Sequence, residues 1–288
     1  MEYVNTSRAQ LRSAERAPSG FGLAAIGLRE LWTRRLLIGY LVRAQMHRVG
    51  ADRVLGNLWW VLDPVFQVLL YTLVIEVLLG RGQPDYPLFV FAALLPWKWF
   101  TAAISDATSA VSSRERLVRG LWFPKIVLPA ATTFAGLVHL GFGLLVLGAV
   151  LAIGYPERVS VWLLAIPAIA AVQLVLTLAL AFIVSAATVF YRDLGNLARH
   201  VLRFWFYLSP ALYGVEVIDS IAERVSFAGQ LARLNPFYTL LGSYRRVIYQ
   251  GSPPDWHGLL VVLFISSMLL LVAAAIFKRA EPSFAKVL

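Results

Sequence analysis

Cysteine is absent from this chain of 288 residues, and histidine occurs four times. Without a thiol the chain cannot form a disulfide, a thiolate nucleophile or an iron–sulfur site. The histidines are scattered, and neither an HExxH pair nor a carboxylate cluster provides the spacing of metal ligands. A phosphate loop of the type GxxxxGKS or GxxxxGKT is also missing, so we expect no ATPase site here. These absences argue against an enzyme and predict no metal or cofactor in this chain.

Charge is also scarce, since charged residues make up 15% of the chain and apolar residues 59%, with a mean hydropathy of +0.70. Soluble domains carry about a quarter charged residues. The net charge is +10, but 22 of the 26 basic residues are arginines that cluster between apolar runs. This pattern is typical of loops beside an anionic leaflet rather than of nucleic-acid binding. The sequence therefore predicts an all-α integral membrane protein with no nucleic-acid partner.

Five apolar runs are long enough to cross about 30 Å of hydrocarbon. They cover residues 58–79, 87–111, 126–153, 167–190 and 259–277. The run 201–218 is shorter and contains Arg203 and Pro210, but an even number of spans is needed to keep both charged ends on one side. We therefore predict a transmembrane domain over 58–288 with six transmembrane helices.

The basic residues predict which side of the membrane each loop faces. Nine lie in 1–57, four in 112–125, three in 190–203 and three in 278–288, against six in the three alternate loops together. By the positive-inside rule, both termini are expected on the cytoplasmic side. The last outer loop, 219–256, is much longer than the other two and carries apolar patches, so we expect it to have a function of its own.

Two segments outside the spans have sequence features that are typical of the cytoplasmic side of the membrane. Residues 1–27 are polar and rich in arginine, which predicts a flexible cytoplasmic tail. Residues 28–57 place apolar side chains at helical intervals, with arginines on the other side, which predicts an amphipathic interface helix lying along the inner membrane surface. This helix is either a platform for a cytoplasmic partner or a connector that packs on the bundle.

The loop at 112–123 predicts a second, shorter amphipathic helix. Ser112 or Ser113 provides an N-cap, and Leu117 lies four residues before Leu121 on the same face. The same basic residues also fit an ordinary positively charged cytoplasmic loop. The composition alone leaves both interpretations open.

Ionisable side chains within the predicted spans are few, and each is expensive in hydrocarbon. They include Glu76, Lys98, Asp106 and Arg203. Glu76 and Lys98 lie in the outer halves of neighbouring spans, so we expect them to pair, either as a structural ion pair or in transport.

Aromatic residues also have two interpretations. A belt at the membrane interface accounts for Trp59 and for the cluster that includes Phe204 and Tyr207. It accounts less well for Trp97 and Trp99, which lie inside a span on either side of Lys98. Rings beside a polar group can present flat apolar faces to sugars while neighbouring side chains bond hydroxyl groups.

Several short motifs occur in a fixed order from residue 28 onward. They are Leu55-Gly56-Asn57-Leu58-Trp59, Asp63-Pro64, Leu94-Leu95-Pro96-Trp97, Phe123-Pro124-Lys125, Leu128-Pro129, Tyr191-Arg192-Asp193-Leu194, Ser209-Pro210 with Tyr213, Asn235-Pro236, Phe277-Lys278-Arg279 and Glu281-Pro282. In this order and spacing the chain resembles the membrane (permease) subunit of bacterial ATP-binding-cassette exporters for polysaccharides. That group includes exporters of O-antigen, teichoic acid, capsule and galactan.

The resemblance implies the partners and the location. A homodimer of this chain would assemble with two ATP-binding-cassette ATPase subunits, which would hold ATP and magnesium, in the bacterial cytoplasmic membrane. The interface helix and the 112–123 helix would rest on the ATPase, the latter as a coupling helix. Its contact residues would be Arg114, Glu115, Leu117 and Trp122. The cargo would be a polysaccharide linked to a lipid, commonly polyprenyl diphosphate.

The resemblance also assigns candidate site residues. The substrate channel would be lined by Trp59, Trp97, Lys98, Trp99, Phe204, Tyr207 and Tyr213. Candidates for binding the diphosphate head group are Arg43, Arg48, Arg53 and Arg203. Short helices in the outer gate region 219–256 would form a gate around Asn235, Pro236 and Phe237. Ser209-Pro210 is expected to kink the fifth span.

Two other functions stay open at this point. A drug or lipid export permease of the same superfamily shares the six-span plan, although it tends to lack the Ser209-Pro210 and Glu281-Pro282 signals. An intramembrane glycosyltransferase or acyltransferase would need paired carboxylates or histidines around a cavity. For the cargo, the arginine bias and the lack of cysteine are compatible with a galactan, while O-antigen and teichoic-acid systems carry the same motifs.

Overall fold

The computed structural model describes residues 20–51, 59–78, 80, 83–214 and 234–288. The described residues form helices joined by turns and short loops, and they contain no β-strand. The all-α prediction is therefore confirmed.

We number the α-helices in chain order. They are α1 Gly20–Thr33, α2 Arg35–Ala51, α3 Trp59–Thr72, α4 Tyr86–Ala107, α5 Glu115–Gly120, α6 Val127–Gly154, α7 Ile166–Phe190, α8 Leu194–Leu208, α9 Pro236–Ile248 and α10 Trp256–Val287. Helix α3 continues as a π-helix over Leu73–Leu78, and a 3-10 turn at Val161–Ala165 leads into α7.

Among the described residues, four helical segments are long and apolar enough to cross a bilayer. They are Tyr86–Ala107, Val127–Gly154, Val161–Phe190 and Trp256–Val287. They contain or closely match four of the predicted spans, because the length of an apolar run is a strong signal for a spanning helix. Helix α3 and its π-helical continuation cover most of the predicted first span.

The fifth predicted span, 201–218, differs from the structure. Helix α8 begins at Leu194 and ends at Leu208, and residues 215–218 lie outside the described part of the chain. Ser209 has extended backbone angles, with φ −100° and ψ 147°. A residue before proline is disfavoured in the α region, so Ser209-Pro210 ends the helix and the predicted kink is wrong.

The predicted interface helix also has different bounds. Helix α1 begins at Gly20, so residues 20–27, which we assigned to the tail, are helical, and a turn at Arg34 separates α1 from α2. The apolar side of α1 packs against α10. A Cβ atom added to Gly27 would lie 3.1 Å from both Ile126 Cδ1 and Lys278 Cγ, so this glycine permits the close approach. Residues 52–57 of the predicted helix lie outside the description.

Helix α4 lies at the centre of the bundle. It packs against α3, α6, α7, α8 and α9, and most of its side chains are buried. A helix that is apolar on all sides is expected to be buried in this way. Gly136 and Gly143 allow α6 to approach α4 closely, since a Cβ atom added to either would lie within 2.7 Å of Trp99 or Leu95.

The chain after α8 is held by one buried arginine of α9. The Arg245 side chain is 3% exposed, and its Nη1 donates to the carbonyl oxygens of Pro210 at 2.5 Å and Tyr213 at 2.8 Å. Its Nη2 donates to the carbonyl of Ala211 at 2.6 Å, and its guanidinium carbon lies 3.7 Å from the centre of the Phe89 ring. The segment 210–213 therefore receives from a side chain the hydrogen bonds that a helix would have provided.

We predict that Arg245→Met lowers the midpoint of thermal unfolding in detergent by about 5 °C or more, because four backbone carbonyls, including that of Phe89, lose a charged donor. The matched control is Arg246→Met, since Arg246 is the next residue of α9 and is exposed. Equal shifts for the two variants would show that Arg245 does not hold the 210–213 segment.

Candidate functional site

A cleft of about 510 Å³ lies between α3, α4 and α8, and we call it the α3–α4–α8 cleft. Cationic and aromatic side chains line it together, among them Tyr71, Trp97, Lys98, Arg199, Arg203 and Tyr207. Four of these were predicted as site residues: Trp97, Lys98 and Tyr207 for the channel and Arg203 for the head group. The fold thus brings two separately predicted groups into one cleft.

Arg199 is a cleft residue that the sequence analysis missed. It lies four residues before Arg203 on α8, so the two guanidinium groups are neighbours on the helix surface. Arg199 also donates a hydrogen bond to the Asn196 side chain. The sequence signal was the four-residue spacing of two arginines, but the predicted span began at 201 and excluded the first turns of α8. Together with Lys98, the two arginines give the cleft an excess of positive charge.

Lys98 pairs with Asp63 of α3 and not with Glu76, so the predicted Glu76–Lys98 pair is wrong. Asp63 lies near the start of α3, whereas Glu76 lies in the π-helix and is exposed. Asp63 and Glu76 are 13 positions apart, which corresponds to about 20 Å along a helix and places Glu76 beyond the reach of Lys98. The Lys98 side chain keeps 25% of its surface exposed and lines the cleft.

Trp97 connects the cleft with the first residues of α9. Its ring centre lies 4.7 Å from that of Phe237 and 5.5 Å from that of Phe206. Phe100 and Trp205 complete the cluster, with ring centres 4.6 and 5.5 Å from Phe237. These tilted and edge-to-face contacts are favourable arrangements for aromatic pairs. A displacement of Phe237 therefore changes the wall of the cleft at Trp97.

Asn235 and Pro236 form the start of α9, as an N-cap and the first helical residue. The Asn235 side-chain oxygen accepts from the Phe237 backbone N–H at 3.1 Å, and proline is well tolerated at the next position because its missing donor is not needed there. The same side chain accepts from Trp205 Nε1 at 3.0 Å and donates to Ser209 Oγ at 2.9 Å. The Asn235-Pro236 and Ser209-Pro210 motifs are thus joined directly.

Trp99 lies on the other side of α4 from the cleft. Its side chain is 3% exposed, and its Nε1 donates to the Thr133 carbonyl of α6 at 3.2 Å. Gly136 leaves the space that the ring occupies. Trp97 and Trp99 were both predicted to line the channel, but only Trp97 lines the cleft. Residues two apart on a helix do not share a face, so the two rings lie on different sides of α4.

The remaining channel candidates are dispersed. Phe204 is 73% exposed on α8, and Trp59 is 38% exposed in the first turn of α3. Neither contributes to the wall of the cleft. Tyr213 lies beyond the end of α8 and donates its hydroxyl to the Tyr207 carbonyl at 2.9 Å.

Three of the four head-group candidates lie away from the cleft or outside the described side chains. Arg43 is exposed on α2. The side chain of Arg48 and the whole of Arg53 lie outside the part of the chain that the structure describes. Arg203 is thus the predicted head-group residue that the structure brings to the cleft.

The predicted coupling helix 112–123 is shorter in the structure. A 3-10 turn covers Ser112–Arg114, and α5 ends at Gly120, because Leu121 is extended. Its N-cap is Arg114, without a side-chain cap bond, so the predicted serine cap is wrong.

The side chains of this loop divide between the core and the surface. Val118 is buried, whereas Leu117 is 41% exposed and Trp122 is 98% exposed. Glu115 and Arg119 form an i,i+4 pair at 3.1 Å. A groove of about 780 Å³ separates α5 from α2, with Tyr40 on one side and Leu117 on the other. Trp122 does not line this groove, but an exposed tryptophan is the kind of surface residue that a partner protein covers.

Comparison with known proteins gives one family. Residues 37–249 match the model of the ABC-2 type transporter family. The chain is 31% identical over 259 residues to the O-antigen export system permease protein RfbA of Myxococcus xanthus, covering 90% of this chain and 98% of that protein. It is 27% identical over 237 residues to a protein of the same name from Klebsiella pneumoniae, covering 82% of this chain and 88% of the relative.

The family match covers more than half of the chain, and the first of these relatives is similar along nearly its whole length. The described helices include four that are long enough to cross a bilayer, as a membrane subunit requires. The chain therefore belongs to the ABC-2 type transporter family, as a permease subunit similar to those of polysaccharide exporters.

Proposed function

We propose that this chain is the membrane subunit of an ATP-driven exporter that moves a lipid-linked polysaccharide across the bacterial cytoplasmic membrane. The relatives are O-antigen export permeases, which favours a polysaccharide over a drug as the cargo. Two copies of the chain work with two ATPase subunits, which hold ATP and magnesium. The channel runs along the axis between the two copies.

The observation that carries this proposal is the composition of the α3–α4–α8 cleft. Lys98, Arg199 and Arg203 supply positive charge beside the rings of Trp97 and Tyr207. Guanidinium groups match phosphate oxygens with two parallel hydrogen bonds, so the arginines suit a diphosphate head group. The exposed ring of Tyr207 suits the apolar face of a sugar, which must bind weakly enough to slide, while the buried Trp97 supports the wall of the cleft. A lipid-linked glycan has both parts.

The six-span arrangement completes the proposal, with α3 and α8 as the first and fifth spans. The 15 residues of α8 correspond to about 22 Å, which is less than the hydrocarbon thickness. Irregular backbone at that depth is tolerated only where protein groups satisfy its polar atoms. Arg245 does this for 210–213. Helix α9, which supplies Arg245, then forms the gate in the outer membrane half.

Both termini lie in the cytoplasm in this arrangement, so α1, α2 and α5 face the ATPase. The groove between α2 and α5 and the exposed Trp122 form the surface on which the ATPase rests. ATP binding changes the channel because the ATPase makes different contacts with these helices in its two states.

We predict that depletion of this chain in its host leads to accumulation of a polyprenyl-linked polysaccharide in the inner leaflet. Chromatography of extracted lipid-linked glycans measures it, and re-expression of the chain is the control. Sugar analysis of the accumulated material distinguishes a galactan from other polymers. Unchanged lipid-linked and surface glycans would contradict polysaccharide export and favour a drug or lipid exporter.

In the same host, Arg203→Gln is expected to slow export by about tenfold or more, because it removes a charged hydrogen-bond donor for the diphosphate. The measured quantity is the rate at which labelled glycan reaches the surface, normalised to the amount of permease in the membrane. Arg192→Gln is the matched control, since Arg192 is exposed before the start of α8 and does not line the cleft. Equal rates for both variants would remove Arg203 from the site.

The Trp122→Glu variant is expected to separate ATP hydrolysis from export in the reconstituted complex, because it places a charge in the contact with the ATPase. Its folding should be unchanged, since the side chain is 98% exposed and surface substitutions shift stability by at most about 0.5 kcal/mol. The measurement is glycan exported per ATP hydrolysed, with Trp122→Phe as the conservative control. A normal ratio in Trp122→Glu would rule out coupling through this side chain.

A further inference from the structure

A buried ionic network lies where α1, the chain after α5 and the end of α10 meet. Lys278 Nζ donates to Glu30 Oε1 and Oε2 at 3.0 and 2.8 Å and to Glu281 Oε2 at 2.6 Å. The other oxygen of Glu281 accepts from the Lys125 backbone N–H at 2.6 Å. The Lys278 and Glu281 side chains are only 13% and 10% exposed.

The network crosses three elements that are far apart in sequence. Glu30 lies on α1, Lys125 follows the exposed Trp122, and Lys278 and Glu281 lie on α10. All five residues line one groove of about 440 Å³. The two surfaces flanking this groove are therefore joined through the end of α10.

Breaking this connection between α1, the segment after α5 and α10 would cost free energy, because the charged groups are largely buried. Separating α1 from α10 would leave Glu30 and Lys278 partly desolvated without their partner, which is strongly unfavourable. Separating the segment after α5 from α10 would likewise remove the backbone donor from Glu281. Apolar contacts at these positions would let α1 and the segment after α5 slide along α10, because the hydrophobic effect is non-directional.

The end of α10 is in turn fixed to the membrane part of the bundle. The ring of Phe277, beside Lys278, lies 6.0 Å from Phe182 of α7 and 5.2 Å from Phe284, measured between ring centres.

We infer that Lys278 and Glu281 are positioning residues that join α1 to residues 121–126, so that the surfaces offered to the ATPase move as one body. This inference rests on the proposed coupling role of these surfaces. It also gives a physical role to the Glu281-Pro282 motif, which the substrate path does not use. The residues act through the elements they hold and contact no substrate.

The first test uses the full-length chain in lipid nanodiscs without any ATPase. Because the chain has no cysteine, Arg29→Cys and Leu121→Cys provide two unique sites for spin labels, both exposed. Labelled chain is diluted with unlabelled chain, and double electron–electron resonance gives the distance distribution. We expect one narrow distribution in this background and a broad one after Lys278→Met.

Matched variants distinguish loss of the ionic network from general destabilisation of the fold. Arg279→Met removes the neighbouring exposed cation and should leave the distribution narrow. Glu281→Gln keeps an oxygen for the Lys125 N–H and removes the charge that faces Lys278, so partial broadening is expected even if Lys278→Met folds poorly. A narrow distribution in both Lys278→Met and Glu281→Gln, or equal broadening in Arg279→Met, would overturn the inference.

The second test adds the ATPase subunit and measures glycan exported per ATP hydrolysed. Lys278→Met is expected to lower this ratio by about twofold to thirtyfold, the range over which substitutions between two sites change their coupling. An unchanged ratio together with broadened label distances would show that the link exists and does not carry the coupling. Absence of export in the unsubstituted complex would contradict the proposed function instead, while the label distances would still decide whether the link exists.

Discussion

Helix α4 packs against five other helices, and its burial is the constraint on which the rest of the structure depends. Two of its polar contacts join it to α3 and to α9. Lys98 meets Asp63 of α3, and the Phe89 carbonyl accepts from Arg245 Nε of α9 at 3.3 Å. The Asp63 side chain is 63% exposed, so the Lys98–Asp63 pair is a modest contact, whereas the buried Arg245 must be paired and its contact fixes where α9 lies against α4. The α3–α4–α8 cleft forms beside the Lys98–Asp63 pair.

The positions of the long apolar helices could be predicted from sequence, whereas their ends could not in every case. Run length alone located α4, α6, α7 and α10, because each is apolar over more residues than a bilayer needs. The predicted fifth span began at residue 201, after the true start of helix α8 at Leu194. The first turns of α8 carry Arg199 and other polar residues, which lower the local hydropathy. Ser209-Pro210 was expected to kink a helix by removing one backbone hydrogen bond. Proline also disfavours the α conformation of the residue before it, so the helix ends at this point instead.

Four of the residues that line the cleft are among those predicted from sequence as site residues. Trp97, Lys98, Arg203 and Tyr207 have residue types whose chemistry suggests a glycan site, and the fold brings them together in one cleft. The partner of Lys98 depends on long-range packing. Its position within a span could therefore not identify Asp63, rather than Glu76, as that partner. Arg245 had no local signal, because its partners are carbonyl groups that any sequence provides.

The contacts at the end of α8 connect the cleft to α9 mechanically. Asn235 contacts both Trp205 and Ser209, and Phe237 fills the space against Trp97. If α9 opens as the proposed gate, it carries Asn235 and Phe237 with it, so the last turn of α8 and the ring of Trp97 must rearrange at the same time. Arg203 lies less than one turn before Trp205 on the same helix. Under the proposed function, a head group bound at Arg203 would act on the same helix whose end the gate must release, and occupancy and opening would be linked through α8.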